Sequence, residues 1–587
     1  VERNRKRYGW VGTLFGEVEL ANNLRYRLNI NGGIQNNNYT NFEPSNVDLD
    51  ASKAPRPAKS VNENFTDFDW VMEQTLTYNK KIAQKHDIVL LGGFSSQKHS
   101  NDYMYGEARG FPNDNIHTLN AGTMYQLTST QSAYSMVSYF GRLNYTFNNR
   151  YLLTGTVRTD GSSRFGENKK WGVFPSVSGA WKVSEEKFMA GFPMINELKL
   201  RASYGIAGNN RIGNYSAIGL LNTGFYPTGD ALQNTVTPGS LANPNLGWEK
   251  VLQSDAGLDL GLFNNRIRLE VDYYNSKSID LLLNVPVPTI TGYSSQIQNI
   301  GKVQNRGVEF SLMTRNLTGK LKWSTDFNIA FNKNRVLEVG PGGQPIYASA
   351  PNANNAFITL PGYPIASFYG YVYQGVFKNE QELNAYPHLP ADKVGDGHYL
   401  DVNNDGKLDQ TDKTILGNNQ PKFEGGFGNN FSYGHWSLSA QLTFSYGAHL
   451  FSFFKRMADI YHGDRNSMVE QVGRWRSVDQ PGDGIHFRAT RNPTGWQRDP
   501  SSAWITDGSF IRLRNITLGY DIGSIRFSTS KISNARVYLT GQNLMTWTKY
   551  PGYDPETSSE GDGLSRGGDY MGYPAARSLI LGLNITF

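Results

Sequence analysis

Polar and apolar residues alternate with period two along most of the 587-residue chain, the spacing that places successive side chains on opposite faces of a strand. Between positions 266 and 273, Arg266, Arg268, Glu270 and Asp272 fall on one face and Ile267, Leu269, Val271 and Tyr273 on the other. Leu198, Leu200, Ala202 and Tyr204 against Lys199, Arg201 and Ser203 repeat the split, as do Ala535, Val537 and Leu539 against Arg536, Tyr538 and Thr540. One face is apolar and the other wet. Such segments predict roughly seventeen strands, near residues 12, 24, 65, 86, 134, 151, 171, 197, 248, 266, 297, 320, 422, 436, 507, 535 and 576. Many exceed the ~10 residues that a membrane-crossing strand needs.

The connections alternate in length. Those at 21–23, 148–150, 264–266, 318–320 and 434–435 are short and rich in Asn and Gly, the residues that tight hairpin turns demand. Between them, 38–64, 101–132, 208–247, 341–420, 455–502 and 548–574 are long, polar and punctuated by Gly and Pro. Short turns on one rim and long loops on the other predict an all-β fold: a transmembrane, antiparallel, up-and-down β-barrel running through residues 1–587 as one domain, its long loops extracellular. In the last strand Leu579, Leu581, Leu583, Ile585 and the terminal Phe587 share a face. An aromatic carboxyl-terminal residue there resembles the signal read by the barrel-assembly machinery; the alternative is an ordinary closing strand.

Composition narrows the choice. The 57 Lys and Arg against 51 Asp and Glu leave +6, dispersed along the chain, so no concentrated patch marks a nucleic-acid partner. Charged residues are sparse at 18%, while aromatics reach 13% and glycines number 62, a β-rich balance. Without cysteine there is no disulfide framework, thiol nucleophile or Cys-based zinc site. No window approaches the ~18 consecutive apolar residues of a membrane helix, which leaves the barrel untouched because only alternate residues face lipid. Residues 1–10 contain neither Met nor an apolar leader core, so the segment is expected to be the interior of a longer chain.

No H-E-x-x-H, G-x-S-x-G or phosphate-loop motif occurs, Gly425, Gly426 and Gly428 lie in a strand pattern, and Glu185 and Glu186 sit at a short connection as solvated charge. The chain is not expected to be an enzyme. One stretch carries metal-type spacing. Asp401, Asn403, Asp405, Asp409 and Asp412 place oxygen side chains at positions 1, 3, 5, 9 and 12 of a loop with Gly406 at position 6, the arrangement of a calcium loop. Lys407 at position 7 offers only its carbonyl, and Leu408 is expected to anchor the loop inward. The bound group would be a structural Ca²⁺; the alternative is a solvated Asn/Asp turn.

Specific motifs recur in order: Tyr139-Phe140-Gly141-Arg142-Leu143-Asn144-Tyr145, Tyr151-Leu152-Leu153-Thr154, Asp160-Gly161-Ser162-Ser163-Arg164-Phe165-Gly166 and Trp171-Gly172-Val173-Phe174-Pro175-Ser176. Asn245-Leu246-Gly247-Trp248-Glu249, Asn305-Arg306-Gly307-Val308-Glu309, Gly541-Gln542-Asn543-Leu544 and Tyr550-Pro551-Gly552-Tyr553-Asp554-Pro555 follow. The series resembles the barrel of the SusC/RagA group of TonB-dependent outer-membrane transporters of Bacteroidetes, from about residue 139 onward. The resemblance implies about 22 strands, of which this chain would supply about the last seventeen, with the plug and TonB box outside it. It implies import of a large nutrient, an oligosaccharide or oligopeptide, in the outer membrane of a Gram-negative bacterium. The implied partners are a SusD-like surface lipoprotein acting as a lid on 341–420 and 455–502, the TonB complex, the lipid bilayer and lipopolysaccharide; dimers of transporter–lipoprotein pairs are a further implication. The other function considered is a SusC-like barrel serving as a structural subunit of an assembly or secretion complex. Tyr369, Tyr371 and Tyr373 are available for stacking on sugars or packing against peptides, or else belong to a strand or interfacial girdle.

Overall fold

Seventeen strands join in one large sheet in the computed structural model, which describes residues 1–47, 54–350, 353–459, 466–490, 499–526, 531–557 and 563–586. The first six are β1 (Glu2–Ala21), β2 (Leu24–Glu43), β3 (Lys59–Ile82), β4 (His86–Arg109), β5 (Thr123–Phe147) and β6 (Tyr151–Ser162). Next come β7 (Trp171–Lys182), β8 (Ile195–Asn209), β9 (Glu249–Leu262), β10 (Ile267–Pro286), β11 (Ser295–Thr318) and β12 (Leu321–Glu338). The last are β13 (Phe423–Tyr433), β14 (Trp436–Tyr446), β15 (Phe510–Arg526), β16 (Lys531–Thr548) and β17 (Ser578–Thr586). Every strand position expected from the alternation lies in or next to one of these. Among the described residues no helix is long and apolar enough to cross a membrane. Phe587, the expected assembly signal, lies outside the described residues.

The short turns are made by residues that tolerate left-handed backbone. Asn23 (φ 68°), Asn148 (φ 52°), Asn149 (φ 56°), Asn264 (φ 58°) and Asn265 (φ 57°) all adopt it, which matches the turn twist to that of the flanking strands. The segments expected as loops at 38–64 and 101–132 are partly strand instead: β2 and β3 take 38–43 and 59–64, and β4 and β5 take 101–109 and 123–132. Their polar residues pair across strands: Asn36 donates to Asn64 Oδ1 at 3.1 Å and to Thr66 Oγ1 at 2.8 Å, and Asn64 donates to Asn38 Oδ1 at 2.7 Å. Polar composition there signals strand that runs beyond the apolar band rather than loop.

The chain divides into two compact units, residues 1–180, 203–252 and 280–299 in the first and 181–202, 253–279 and 300–587 in the second. In the first, apolar side chains align in cross-strand rows: Leu14, Ile30 and Met72 make one, Tyr78, Leu90 and Leu143 another. Leu14 is 70% exposed and Leu90 45%, as side chains directed to lipid must be in a structure without it. The opposite face is polar, with Thr13 donating to Asn31 Oδ1 at 2.7 Å and Arg158 to Asp160 Oδ1 at 2.7 Å.

In the second unit one row passes from Leu312 through Phe327, Phe427, Leu442 and Leu513 to Met545, and another joins Leu438, Leu518, Leu539 and Leu581. The reverse face carries Arg201 between Asp259 and Asp272, at 2.6 and 2.9 Å, and the Thr517–Thr540 hydroxyl pair at 2.9 Å. Gly425 is a strand glycine by necessity, since a Cβ there would lie 2.2 Å from the Asn328 carbonyl oxygen and 2.7 Å from the Phe444 ring.

Candidate functional site: packed loops and a cation-type turn

In the second unit the long connections do not stay loose. The segment between β12 and β13 forms a four-stranded sheet from Ile346–Ala350, Ala353–Thr359, Ser367–Gly370 and Thr414–Gly417. His449–Ser452, from the next long connection, pairs antiparallel with Ile505–Asp507 and parallel with Gly568–Asp569 from the last one. Phe357, Phe368, Phe451, Phe453 and Trp504 are fully buried in the core these segments share. Sequence-distant loops are thereby tied together, which lowers the entropy a ligand or partner would otherwise have to overcome.

Charge pairs lock the assembly. Arg488 holds the fully buried Asp396 carboxylate through two bonds, at 2.7 and 3.1 Å. Arg512 pairs with Asp554 and Glu556, each at 2.5 Å, and the Tyr550 hydroxyl donates to Asp569. Burial alone would raise the Asp554 carboxyl; bonds from Arg512 and from the Glu556 and Ala575 amides outweigh that and hold it below the ordinary carboxylate range.

Tyr371 is fully buried and packs edge-on against Tyr399 at 5.9 Å, and Tyr373 packs on Tyr399 and Phe487 at 5.5 and 5.3 Å. Tyr369 lies beside Tyr347 at 5.7 Å. Tyr371 and Tyr373 are therefore core residues of the loops, neither girdle nor exposed stacking platform. Burial pushes the Tyr371 and Tyr399 hydroxyls well above the ordinary range, with Asp499 and Asp412 adding to the effect at Tyr371.

The cation-type turn sits on this core. Leu408 is buried against Tyr371 and Tyr399, the inward anchor that its position suggested. Asn404 (φ 57°) and Gly406 (φ 80°) turn the backbone, so that Asp401 Oδ2 accepts from the Gly406 amide and Asp405 Oδ1 from the Lys407 amide, both at 2.9 Å. Asn403 Oδ1 accepts from the Asp405 amide at 2.9 Å. Asp412, fully buried, accepts from the Val402 and Asp409 amides at 2.9 and 2.8 Å. The Thr411 amide and hydroxyl hold the Asp409 carboxyl below its ordinary value. Asp401 Oδ1 is buried and accepts no hydrogen bond. Among the described residues no three His, Cys, Asp or Glu side chains converge as a metal-holding group; the turn's donors include Asn403 and the Lys407 carbonyl. The turn therefore carries an oxygen-only set with one orphaned carboxylate oxygen, while its other carboxylate oxygens named above accept hydrogen bonds from within the turn.

Three further features went unread in the sequence. On the polar face of the second unit, Arg315, Lys322 and Arg536 with Ser432 and Ser437 line a cavity of about 530 Å³. In the first unit, Leu221–Thr228 and Ala231–Pro238 form a hairpin within the long connection between β8 and β9. Its Leu221, Phe225, Leu232 and Val236 are exposed apolar residues; period-two spacing was legible there, but Gly and Pro masked it. Finally, the Phe165–Gly166, Phe174 and Trp248 motif residues form one clamp: Phe165 and Phe174 pack on Trp248 at 4.9 and 5.2 Å, and the Gly166 amide donates to the Leu246 carbonyl at 2.9 Å.

Long antiparallel strands that turn apolar rows outward, with ion pairs and hydroxyls on the reverse face, define a transmembrane β-barrel. The chain belongs to the family described as "TonB dependent receptor-like, beta-barrel", whose model matches residues 2–544. It is SusC/RagA-like and a protein of the bacterial outer membrane. TonB-dependent receptor P3 of Formosa agariphila is 33% identical over 99% of this chain and 58% of its own length. TonB-dependent receptor SusC of Bacteroides thetaiotaomicron is 31% identical over 87% of this chain and 49% of its own. The solved RagAB peptide transporter superposes with a TM-score of 0.85 at 26% identity, covering all of this chain and 62% of that one. The chain thus spans about half to three-fifths of the length of these relatives.

Proposed function

We propose that this chain is the barrel portion of a TonB-dependent importer that takes up a large hydrophilic nutrient, an oligosaccharide or oligopeptide, with a SusD-like surface lipoprotein as its lid. The observation that carries the reading is the loop core around Phe451 and Trp504, where segments of three long connections meet through a shared buried cluster and strand pairing, in a unit whose sheet has a polar reverse face. The likeness to the RagAB peptide transporter favours an oligopeptide between the two cargo classes. In the second unit 341–420 and 455–502 would contact the lid; in the first unit the exposed apolar face of the 221–238 hairpin is by itself suited to a protein contact. Energy would come through the TonB complex, and dimers of transporter–lipoprotein pairs, insertion by the barrel-assembly machinery and recognition of Phe587 belong to the same reading. The test is growth of a deletion strain on defined oligopeptides and oligosaccharides as sole nutrient: loss on one class is expected. Unchanged uptake of every one of them, with disturbed display of surface proteins, would instead support a structural subunit of an assembly or secretion complex.

We also propose that Asp401, Asn403, Asp405, the Lys407 carbonyl, Asp409 and Asp412 hold a structural Ca²⁺. The buried, unpartnered Asp401 Oδ1 supports the assignment, and the ion would brace the turn against the Tyr371–Tyr399 core. Calcium is expected to slow proteolysis near Asp405 relative to chelator, and Asp401→Asn with Asp409→Asn to remove the difference. Equal cleavage with and without calcium in the unaltered protein would return the stretch to a solvated turn.

A further inference from the structure

The apolar face of the second unit ends in a cluster of cations that have no anion. On β11 and β12, Val308 lies directly opposite Phe331, and two residues further from the short turns Arg306 lies directly opposite Lys333. Like charges facing each other across a strand pair repel. Among the described residues neither has an ion-pair partner, and the same holds for Arg335, which follows Lys333 on that face, for Lys422 and for Lys277. The carboxylates close in sequence lie elsewhere: Glu309 and Glu424 share a cross-strand row with Ala330 that alternates onto the reverse face, and Glu338 is taken by Lys302 at 2.5 Å. Gln304 donating to Asn275 Oδ1 at 2.7 Å stitches β10 to β11 at this level. Tyr273, Val308 and Phe331 form the apolar floor, and Arg306, Lys333 and Lys422 the rim, of a recess of about 390 Å³.

We propose that this recess binds the phosphorylated headgroup of a membrane lipid, with phosphate oxygens between Arg306, Lys333 and Lys422 and an acyl chain along Tyr273, Val308 and Phe331. Two facing cations without a carboxylate are stabilised by an anion that bridges them. The position, at the edge of the lipid-facing rows on the long-loop side, is where a headgroup lies and where a soluble anion would find an apolar surface it cannot use. A glycolipid carrying phosphate satisfies both halves of the recess; a protein partner would need to enter the bilayer edge to reach it.

The test is native mass spectrometry of the intact protein purified in detergent and titrated with lipid A, with dephosphorylated lipid A, and with lipid A in the presence of excess inorganic phosphate. Binding of lipid A is expected to weaken about thirtyfold in Arg306→Gln/Lys333→Gln, which removes two surface charges, and to persist in Lys333→Arg. Dephosphorylated lipid A should bind the unaltered protein about tenfold more weakly, and inorganic phosphate should not displace lipid A. Equal affinity for the two lipids, or an unaffected double variant, overturns the proposal. Displacement by inorganic phosphate would mark a free-anion site and overturn the lipid assignment. Should the double variant fail to show the heat-modifiable migration of a folded barrel, the two-lipid comparison on the unaltered protein decides alone.

Discussion

Gly166 shows how a motif residue can be fixed by one contact: a Cβ there would lie 2.1 Å from the carbonyl oxygen of Pro244. The Trp248 indole closes the same clamp by donating to the Lys170 carbonyl at 2.9 Å. Gly166→Ala must push the 243–248 segment away, and Trp248→Ala removes a buried ring at a cost of about 3–5 kcal/mol. Both variants should raise protease cutting between β6 and β7 and within 243–248, and a digestion pattern unchanged in both would show that the clamp does not hold these segments. The motif itself was legible in the sequence, but its physical reason was not, because the residues that crowd Gly166 are distant in the chain. The same limit governed the tyrosines. Their alternation was visible, yet Tyr371 and Tyr373 are buried by Tyr399 and Phe487, which no local pattern announces. Leu408 could be read correctly because its role depends only on its place within the turn.

Strands were legible as elements wherever one face is apolar. Their outer ends were not, because the Asn36, Asn38, Asn64 and Thr66 ladder is polar strand with the composition of a loop. Long connections misled in the opposite sense: Gly- and Pro-rich composition hid the small sheets and the Glu380–Ala385 helix, capped by Asn379 accepting from the Glu382 amide at 2.9 Å. Next to that helix, His398 stacks on Phe377 at 4.9 Å and lies against Tyr386 at 4.5 Å. Burial lowers its imidazole pKa, and Glu382 only partly opposes this. Because the folded value lies below the unfolded one, neutral His398 stabilises the segment above about pH 6.5, and that contribution is lost as pH falls through the lowered folded value. The protection factors of amides in 377–398, meaning the intrinsic exchange rate at each pH divided by the observed rate, should therefore fall on acidification, and His398→Phe should flatten the dependence. Identical pH profiles for the two proteins would assign the effect to other groups.

For the whole molecule, the decisive property is which face of the sheet meets lipid, and alternation alone could not tell a lipid-facing surface from a buried core. The row Leu438, Leu518, Leu539 and Leu581 separates them, since Leu539 is 48% and Leu581 76% exposed, far from the burial of a soluble core. A cation within such a row has no water to solvate it, whereas one on the reverse face joins hydroxyls and ion pairs. Leu539→Arg should therefore cost about 2–4 kcal/mol if the row lies near the bilayer midplane, while Thr540→Arg, one residue away on the reverse face, should be tolerated. The measurement is the urea dependence of heat-modifiable migration after folding into lipid vesicles. A Leu539→Arg midpoint equal to that of Thr540→Arg would overturn the assignment of the faces, because a cation would then cost no more in the apolar row than among the hydroxyls and ion pairs of the reverse face.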